Sequence, residues 1–277
     1  MATPTGILQG CGSGQRASWV VATMFAFRRD PDGPSGVGVA FTDRLDGVST
    51  GSFASLNLSD IRPDDDANER ANAQLVASAL GVESLIGVWQ VHGAHVLRVP
   101  ASDADAEALL DWDMTRESPY MVLADAMVTT AENIGLCIRV ADCVPVLLGD
   151  SNAGVIGAAH AGRKGMLGGV VEATIEAMRE LGARDIDAWI GPHICGQCYE
   201  VPSDMAEAAW QQLPATRATT RKGTPAIDLG AGAAAELERL GCAVHVEASC
   251  TFENPALFSY RRDGDQSGRQ AGIVWRR

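Results

Sequence analysis

The sequence has no apolar run long enough to cross a membrane. The nearest candidate, residues 19–27, is far shorter than the roughly 18 residues that a transmembrane helix requires. The N-terminus also lacks the basic segment followed by an apolar stretch that is typical of a signal peptide. We therefore predict no membrane partner and a cytoplasmic location.

Histidine is scarce, and cysteine occurs in an odd number. Five His residues are too few for an oxidase with several copper centres, because such centres draw heavily on imidazole ligands. Seven scattered Cys residues do not form the paired framework of a small secreted domain. A reducing compartment is the better match, with some thiols buried and one available to a metal.

Positive charge is in deficit. The chain has 22 basic and 35 acidic residues, which gives a formal net charge of −13 and a pI of about 4.7. A field of this sign repels nucleic acid at long range. We therefore predict no nucleic-acid partner, and we expect a small anionic substrate to require a local cluster of arginines.

The composition supports a sizeable core. Of the 277 residues, 46% are hydrophobic and 21% are charged, while 30 Gly and 12 Pro predict many short loops. No change in composition marks a boundary after residue 35. We predict a poorly ordered N-terminal extension over residues 1–35 and a single domain over residues 36–277.

Short apolar strands and amphipathic helices follow one another along the chain. The predicted strands are residues 37–42, 86–91, 121–130, 135–140, 144–149, 154–159, 186–190 and 271–275. The predicted helices are residues 67–80, 165–181, 203–212 and 230–240. Gly81 and Gly182 stand where the first two of these helices are expected to end.

The most informative stretch is the pair of strands on either side of the turn at residues 150–153. An antiparallel hairpin centred on this turn would place Cys143 directly opposite His160. Opposed residues have Cβ atoms roughly 4.5–5.5 Å apart, which suits a thiolate and an imidazole that bind one Zn²⁺. The alternative is a buried, apolar Cys143 and a hydrogen-bonded His160 with no metal.

Two further residues stand at the ends of predicted strands. His92 precedes a glycine turn and is a third possible ligand, provided that the fold brings it to Cys143 and His160. Arg44 also ends a strand beside a glycine turn and is a candidate anion-binding residue. A solvated surface arginine is the alternative for Arg44.

Cys195 and Cys198 form a C-x-x-C motif. The sequence has no second C-x-x-C that would complete a four-thiolate zinc site. A redox C-x-x-C would open a helix, and the Tyr-Glu-Val-Pro that follows at residues 199–202 argues against one.

Several short motifs occur in a characteristic order. They are F-T-D-R at 41–44, S-L-N-L at 55–58, Q-V-H-G at 90–93, D-A at 125–126, A-D-C-V-P-V at 141–146, H-A-G at 160–162, G-P at 191–192, C-Y-E-V at 198–201 and F-S-Y-R-R-D-G at 258–264. In this order they make the chain resemble the laccase-domain family, also called the multicopper polyphenol oxidoreductase family. The resemblance covers residues 36–276.

The resemblance implies a single α+β domain in which mixed β-sheets are layered between helices, in an α/β/β/α arrangement. It also implies one Zn²⁺ per chain, held by His92, Cys143 and His160. Members are described as purine nucleoside phosphorylases that also deaminate adenosine. The implied substrates are phosphate with adenosine, inosine, guanosine or methylthioadenosine, and the implied products are the free base and ribose 1-phosphate.

The same resemblance suggests roles for individual residues. The predicted catalytic group is His92, Cys143, His160, Asp142 as a proton shuttle, and Arg44. The predicted substrate-binding and phosphate-binding residues are Arg44, Asn57, Arg163 and Arg261. Members usually read His-Ala-Gly-Trp-Arg-Gly, whereas this chain has Arg163-Lys164 in place of Trp-Arg. An aromatic ring is lost, and a guanidinium is displaced or replaced by an ammonium, which is not equivalent for binding phosphate.

Other functions fit the same residues. A copper-dependent polyphenol oxidase is one, and Cu²⁺ would bind a His/His/Cys set readily even as a non-native occupant. A second is a metal-free hydrolase or transferase with Cys143 as nucleophile and His160 or His92 as base. A third is a binding protein whose site has lost its activity.

Overall fold

The structure is a computed structural model that describes residues 24–32, 36–59, 64–101, 112–117, 122–247 and 249–277. Within these ranges the strands are β1 (Phe25–Arg29), β2 (Val37–Thr42), β3 (Ser84–Ile86), β4 (Val96–Arg98), β5 (Ala126–Thr129), β6 (Ile134–Val140), β7 (Val144–Asp150), β8 (Val155–Ala161), β9 (Asp187–Ile190), β10 (Arg217–Thr219), β11 (Pro225–Ile227), β12 (Ala243–Val246) and β13 (Gln270–Arg276). The helices are α1 (Asp66–Leu80), α2 (Arg163–Leu167), α3 (Val170–Glu180), α4 (Ser203–Gln212), α5 (Leu229–Arg239) and α6 (Tyr260–Asp263).

Two mixed sheets form the centre of the molecule. The five-stranded sheet has the order β1-β2-β13-β6-β3, and the six-stranded sheet has the order β12-β9-β7-β8-β5-β4. Antiparallel pairs join the inner strands, while β3 on β6, β4 on β5 and β12 on β9 are parallel. A short hairpin of β10 and β11 stands apart from both sheets.

Apolar contacts define four layers. Leu80 of α1 packs with Trp275 against the outer face of the five-stranded sheet. Phe41 and Leu147 belong to the core between the two sheets. Ile175 of α3 lies in the core on the far face of the six-stranded sheet. The layer order is therefore helix, sheet, sheet, helices, and the predicted single α+β domain is confirmed.

Strand β7 shows why the central strands carry apolar side chains on both faces. Leu147 points into the core between the sheets, whereas Val146 and Leu148 point to the core beneath the helices. Because both faces of the sheet are covered, the two-residue period of the strand carries apolar side chains on each side. All residues of β6, β7 and β8 are buried.

The hairpin of β7 and β8 forms as predicted, but its register differs by two residues. Pro145, not Cys143, lies opposite His160. Successive side chains alternate between the faces of a strand, so a shift of two residues keeps the same side chains on the same face. Cys143 just before β7 and His160 in β8 therefore still share a side of the sheet.

The turn explains the shift. The loop between the strands comprises residues 151–154, one residue further along than predicted. The Asp150 carboxylate accepts hydrogen bonds from the backbone N–H groups of Asn152 and Ala153. Gly154 closes the loop with φ at +65°, a conformation that favours glycine.

Two other predicted boundaries need correction. The helix predicted over 165–181 is divided into α2 and α3, because Gly169 has φ at +85°. The strand predicted over 86–91 ends at Ile86, and beyond it Trp89 makes only an isolated bridge to Leu123.

Strand β1 lies within the predicted N-terminal extension. It pairs antiparallel with β2, with Phe27 opposite Phe41. The five-stranded sheet therefore begins before residue 36, because the alternating half-buried Phe25 and Phe27 give this segment one apolar face. Residues 1–23 and 33–35, the rest of that extension, lie outside the described residues.

The Asp150 carboxylate also joins the hairpin to the segment before β9. Besides the two turn N–H groups, it accepts the backbone N–H groups of Arg184 and Asp185. Burial would raise the pKa of Asp150, but these four hydrogen bonds outweigh it and lower the pKa below its ordinary value.

We expect Asp150→Asn to lower the free energy of unfolding at pH 7 by about 1–3 kcal/mol, because an amide nitrogen would face N–H donors. A carboxylate with a depressed folded pKa stabilises the fold above its unfolded pKa of about 3.9, and this contribution is lost as the pH falls through the folded pKa. Urea titrations should therefore show that the difference in free energy of unfolding between wild type and variant becomes smaller below about pH 4. A difference independent of pH would contradict the assignment.

Candidate functional site

The three predicted metal ligands meet at one end of the two sheets. Cys143 lies in the short connection from β6 to β7, where the chain passes from one sheet to the other, and His160 lies near the end of β8. His92 lies in the turn that follows β3. One donor atom from each residue lies within 4.8 Å of the other two. The Cys143 Sγ–His92 Nε2 distance is 3.9 Å.

A buried carboxylate positions two of these residues. Asp125 precedes β5 and accepts a hydrogen bond from His160 Nδ1 at 2.8 Å. It also accepts the backbone N–H groups of Val91, His92 and Gly93, at 3.2, 2.8 and 2.6 Å. The bond to Nδ1 leaves Nε2 as the ring nitrogen of His160 that is available to a metal.

The turn at His92 is unusual in conformation. His92 has φ at +62°, a left-handed value that is uncommon for residues other than glycine. Three consecutive N–H groups around it converge on the Asp125 carboxylate, and this holds the turn in place. By holding the backbone of this turn, the Asp125 carboxylate also helps to fix the direction of the His92 imidazole.

Gly162 permits the close approach of the three ligands. A Cβ atom at this position would lie 2.8 Å from His92 Cδ2 and 2.9 Å from Cys143 Sγ. Real Cβ atoms do not make such short contacts, so a side chain here would push the ligands apart. A glycine at position 162, two residues after His160, is therefore required by the site.

The electrostatics favour a thiolate at Cys143. Burial would raise the pKa of the Cys143 thiol, but the charge and hydrogen bond of His160, with a further hydrogen bond from His92, lower it to about 6. Burial would lower the pKa of His160, but Cys143 and Asp125 raise it to about 9. The thiolate is the form of cysteine that binds metals.

The donor set fits a metal ion. Two imidazoles and one thiolate are ligands typical of zinc, and three protein ligands leave one position open, as in catalytic zinc sites. The hydrogen bond that His160 Nδ1 donates to Asp125 is the outer contact that such ligands usually have.

A cavity of about 470 Å³ opens over these residues. Its arginines are Arg139, Arg163, Arg261 and Arg269, and its aromatic side chains are Trp89, Tyr199 and Tyr260. His92, Asp142, Cys143 and His160 also line it. In a chain with a formal net charge of −13, this is the local cluster of arginines that an anionic substrate requires.

Two of the predicted phosphate-binding residues lie in this cavity. Arg163 is the first residue of α2 and lines the cavity, where burial raises the pKa of the Tyr199 phenol and the charge of Arg163 lowers it in part. Arg261 stacks over the Tyr199 ring at 4.9 Å and donates from Nη1 to the Glu200 carbonyl oxygen at 2.8 Å. Lys164, by contrast, is exposed and is not among the lining residues.

Asp142 lines the cavity beside Cys143 and connects it to two other segments. Its Oδ1 accepts a hydrogen bond from Thr251 Oγ1 at 2.6 Å, and its Oδ2 accepts one from the backbone N–H of Arg261 at 2.6 Å. Each carboxylate oxygen has a second lone pair, so Asp142 keeps acceptor capacity beyond these bonds.

The structure places Arg44 and Asn57 outside the lining of the cavity. Arg44 donates to the carbonyl oxygens of Ala54 and Ser52, and its guanidinium stacks over the Phe258 ring at 4.4 Å. These contacts tie Arg44 to a loop, and its predicted contact with phosphate stays a prediction.

Asn57 is fully buried, and its contacts are with the protein. Its Oδ1 accepts the backbone N–H groups of Ser59 and Arg269, and its Nδ2 donates to Asp64. Asn57 thus fixes the backbone of an arginine that does line the cavity.

Sequence reasoning did not identify four residues of the site as functional. They are Asp125, Arg139, Tyr199 and Arg269. Of these four, only Asp125 could have been identified from the sequence, where it stands between two alanines within the predicted strand of residues 121–130. A buried carboxylate at such a position needs hydrogen-bond donors from elsewhere in the fold.

The chain is similar to known proteins over most of its length. Residues 38–277 match the family model described as multi-copper polyphenol oxidoreductase laccase. A purine nucleoside phosphorylase of Streptomyces coelicolor is 45% identical over 251 residues, which cover 88% of this chain and 97% of that protein. A purine nucleoside phosphorylase of Mycobacterium tuberculosis is 42% identical over 239 residues, with 84% and 90% covered.

Solved structures share the fold. A Neisseria meningitidis protein superposes with a TM-score of 0.76 at 31% identity and covers 92% of this chain and 99% of its own. The YlmD protein of Geobacillus stearothermophilus gives 0.74 at 29% identity, with 88% and 93% covered. None of the helices in the described ranges combines the length and hydropathy that a membrane span needs.

Proposed function

The chain belongs to the family described as multi-copper polyphenol oxidoreductase laccase, and from this premise we propose that it is a zinc-dependent purine nucleoside phosphorylase that also deaminates adenosine. The proposed substrates are adenosine, inosine, guanosine or methylthioadenosine, with phosphate. The relatives named purine nucleoside phosphorylase, at 40–45% identity, support the phosphorolytic activity.

One observation carries the proposal. A cavity of about 470 Å³ holds a His/Cys/His donor set, four arginines and three aromatic rings. Volumes of this order accommodate small-molecule ligands. Purine bases stack on aromatic rings, phosphate pairs with guanidinium groups, and the donor set fits a metal, so each part of the proposed reactants has a matching group.

The arginines account for phosphate binding. Arg163 and Arg261 line the cavity together with Tyr199, and the Arg261 guanidinium stacks over the Tyr199 ring. Guanidinium groups bind phosphate oxygens through paired N–H donors. A phosphate oriented here attacks C1′ of the ribose, and the bond from C1′ to the purine nitrogen breaks as positive charge develops on the sugar.

The departing base must receive a hydrogen bond or a proton. Asp142 keeps acceptor capacity toward the cavity, so its carboxylate can take the proton that the attacking hydrogen phosphate loses and pass it to the base, which is the predicted role as a proton shuttle. Burial raises the pKa of Tyr199, although Arg163 lowers it in part, so the phenol stays protonated and remains a donor at neutral pH. These two side chains are the proposed proton-handling groups.

His92, Cys143 and His160 would hold the zinc. When bound there, zinc supplies a Lewis acid and lowers the pKa of a coordinated water, which is the chemistry that deamination needs. The thiolate adds the one formal negative charge among the three ligands, while Asp125 orients His160.

Product analysis tests the proposal. Zinc-loaded protein is incubated with adenosine, with and without phosphate, and the products are separated by chromatography. We expect adenine and ribose 1-phosphate only when phosphate is present, and inosine in both mixtures. Turnover of a phenol without turnover of any nucleoside would support a copper oxidase instead, and no turnover of any kind would support a binding protein.

The proposed phosphate contact gives a quantitative prediction. We expect Arg163→Ala to raise the KM for phosphate by roughly 10- to 100-fold, because a hydrogen bond to a charged group contributes about 1.5–3 kcal/mol. The KM for the nucleoside should change much less. Lys164→Ala is the matched control, since it removes a neighbouring positive charge that is exposed and outside the cavity. Equal effects of both substitutions would argue against a specific contact.

A further inference from the structure

A second cluster of metal-binding side chains lies outside the cavity that holds Cys143. It comprises Cys195, Cys198, Cys250 and Glu253, and one donor atom from each lies within 4.8 Å of the others. None of these residues lines the first cavity. Three sulfur atoms and a carboxylate therefore converge where the proposed reaction has no use for them.

Two tight turns build this cluster. The backbone N–H groups of Cys198 and Tyr199 donate to the Cys195 carbonyl oxygen, which forms the first turn. The N–H groups of Glu253 and Asn254 donate to the Cys250 carbonyl oxygen, which forms the second. Each turn presents its first and fourth residues, so the chain reads C-x-x-C in one and C-x-x-E in the other.

The two turns are fixed against each other. The backbone N–H of Cys195 donates to Cys250 Sγ at 3.4 Å. His193 and Cys250 form a bridge through the N–H groups of His193 and Thr251. The carboxylate of Glu253 pairs with Arg221, so one of its oxygens already has a partner outside the cluster.

A redox or disulfide role fits these thiols less well than metal binding. A redox C-x-x-C stands at the start of a helix, but the next helix after Cys198 is α4, which begins at Ser203. Cys195, Cys198 and Cys250 are all free and only partly buried, unlike Cys137, which packs as a core residue. A disulfide would use two of the three sulfurs and leave the third without a role.

We propose that Cys195, Cys198, Cys250 and Glu253 bind one structural Zn²⁺. Thiolates select zinc over the harder divalent ions, and four protein ligands give the closed tetrahedral set of a structural site. The Arg221 contact to Glu253 is the outer contact expected of a ligating carboxylate. The site needs no second C-x-x-C, because the second turn supplies a glutamate in place of one cysteine.

Such a zinc would stabilise one wall of the catalytic cavity. Ile194 and Tyr199, beside the first turn, line that cavity. Thr251, next to Cys250, donates to Asp142, and its carbonyl oxygen accepts from Arg262. The metal would therefore position Tyr199 and Asp142 without contacting substrate.

Metal analysis of the purified protein tests this site. We expect about two Zn²⁺ per chain in the wild type and about one in either Cys143→Ala or Cys198→Ala. Cys242→Ala is the matched control, because it removes a thiol outside both clusters and should retain the wild-type content. A wild type with a single zinc that Cys143→Ala removes would overturn the proposal, as would a disulfide among the three cysteines.

A second measurement does not depend on the folding of any cluster variant. The Cys143→Ala protein is stripped with a chelator and titrated with Co²⁺, and the thiolate-to-cobalt absorption is recorded. We expect a strong band that saturates at about one equivalent, since three thiolates remain at the second cluster, and displacement of the band by Zn²⁺. Absence of this band in the folded protein would refute the site.

Discussion

Replacing Cys143 with alanine is expected to remove one Zn²⁺ per chain and to lower the rate of adenosine phosphorolysis at least about 100-fold. Loss of an outer contact to a metal ligand already costs roughly 10- to 100-fold in affinity or activity, so loss of a ligand should cost no less. Cys143 also supplies the thiolate that two imidazoles cannot replace. Metal content and initial rates, measured on the same preparation, check both parts.

Cys242→Ala controls for the general effect of removing a buried thiol. Cys242 packs in the core beneath the helices, away from the ligands, so its variant should keep both the metal and the rate. Undiminished turnover by Cys143→Ala would refute the proposed site. A wild type that lacks metal at His92, Cys143 and His160 but is inactivated by alkylation of Cys143 would instead support a cysteine nucleophile.

The grouping of His92, Cys143 and His160 could be predicted from the sequence because each residue has a local signal. Cys143 and His160 flank a recognisable hairpin, and His92 ends an apolar segment before a glycine. The predicted pairing was wrong by two residues, yet the two residues still lie together. A register shift of two residues leaves Cys143 and His160 on the same face of the sheet. A shift of one residue would have placed them on opposite faces.

The arginines that line the cavity were harder to predict from the sequence than the His/Cys/His group. Arg44 and Arg261 are both adjacent to turns in the sequence, but only Arg261 lines the cavity. Whether an arginine faces the cavity depends on the conformation of the surrounding loops, such as residues 51–54, whose carbonyl oxygens accept hydrogen bonds from Arg44. Arg139 is harder still to identify, because it lies in a strand that is otherwise apolar.

The division of the predicted helix shows a similar limit. The apolar spacing over 165–181 fits one continuous helix, and it carries no information on backbone conformation at Gly168 and Gly169. The structure ends α2 there, so that the start of α2 places Arg163 over the cavity while α3 packs on the six-stranded sheet. Gly168 and Gly169 thus separate α2, which carries Arg163, from α3, which packs on the six-stranded sheet.

Asp125→Asn is expected to weaken zinc binding by roughly 10- to 100-fold and to lower the rate of phosphorolysis with it. The carboxylate accepts four N–H groups, two on each oxygen, whereas an amide presents one oxygen and one NH₂ donor. If the NH₂ faces Val91 and Gly93, it opposes their N–H groups. If it faces His160 Nδ1, the imidazole must carry its proton on Nε2, the nitrogen needed by the metal.

Asp150→Asn separates this effect on the metal from a loss of stability. Asp150 is also buried and also accepts four N–H groups, all of them from the backbone, but it lies at the hairpin turn and contacts none of the ligands. Both variants should therefore lose a similar free energy of unfolding in the metal-free state, while only Asp125→Asn shows weaker zinc binding in competition with a chelator. Equal zinc affinities in the two variants would mean that Asp125 supports the fold alone, and the positioning of His160 would need another cause.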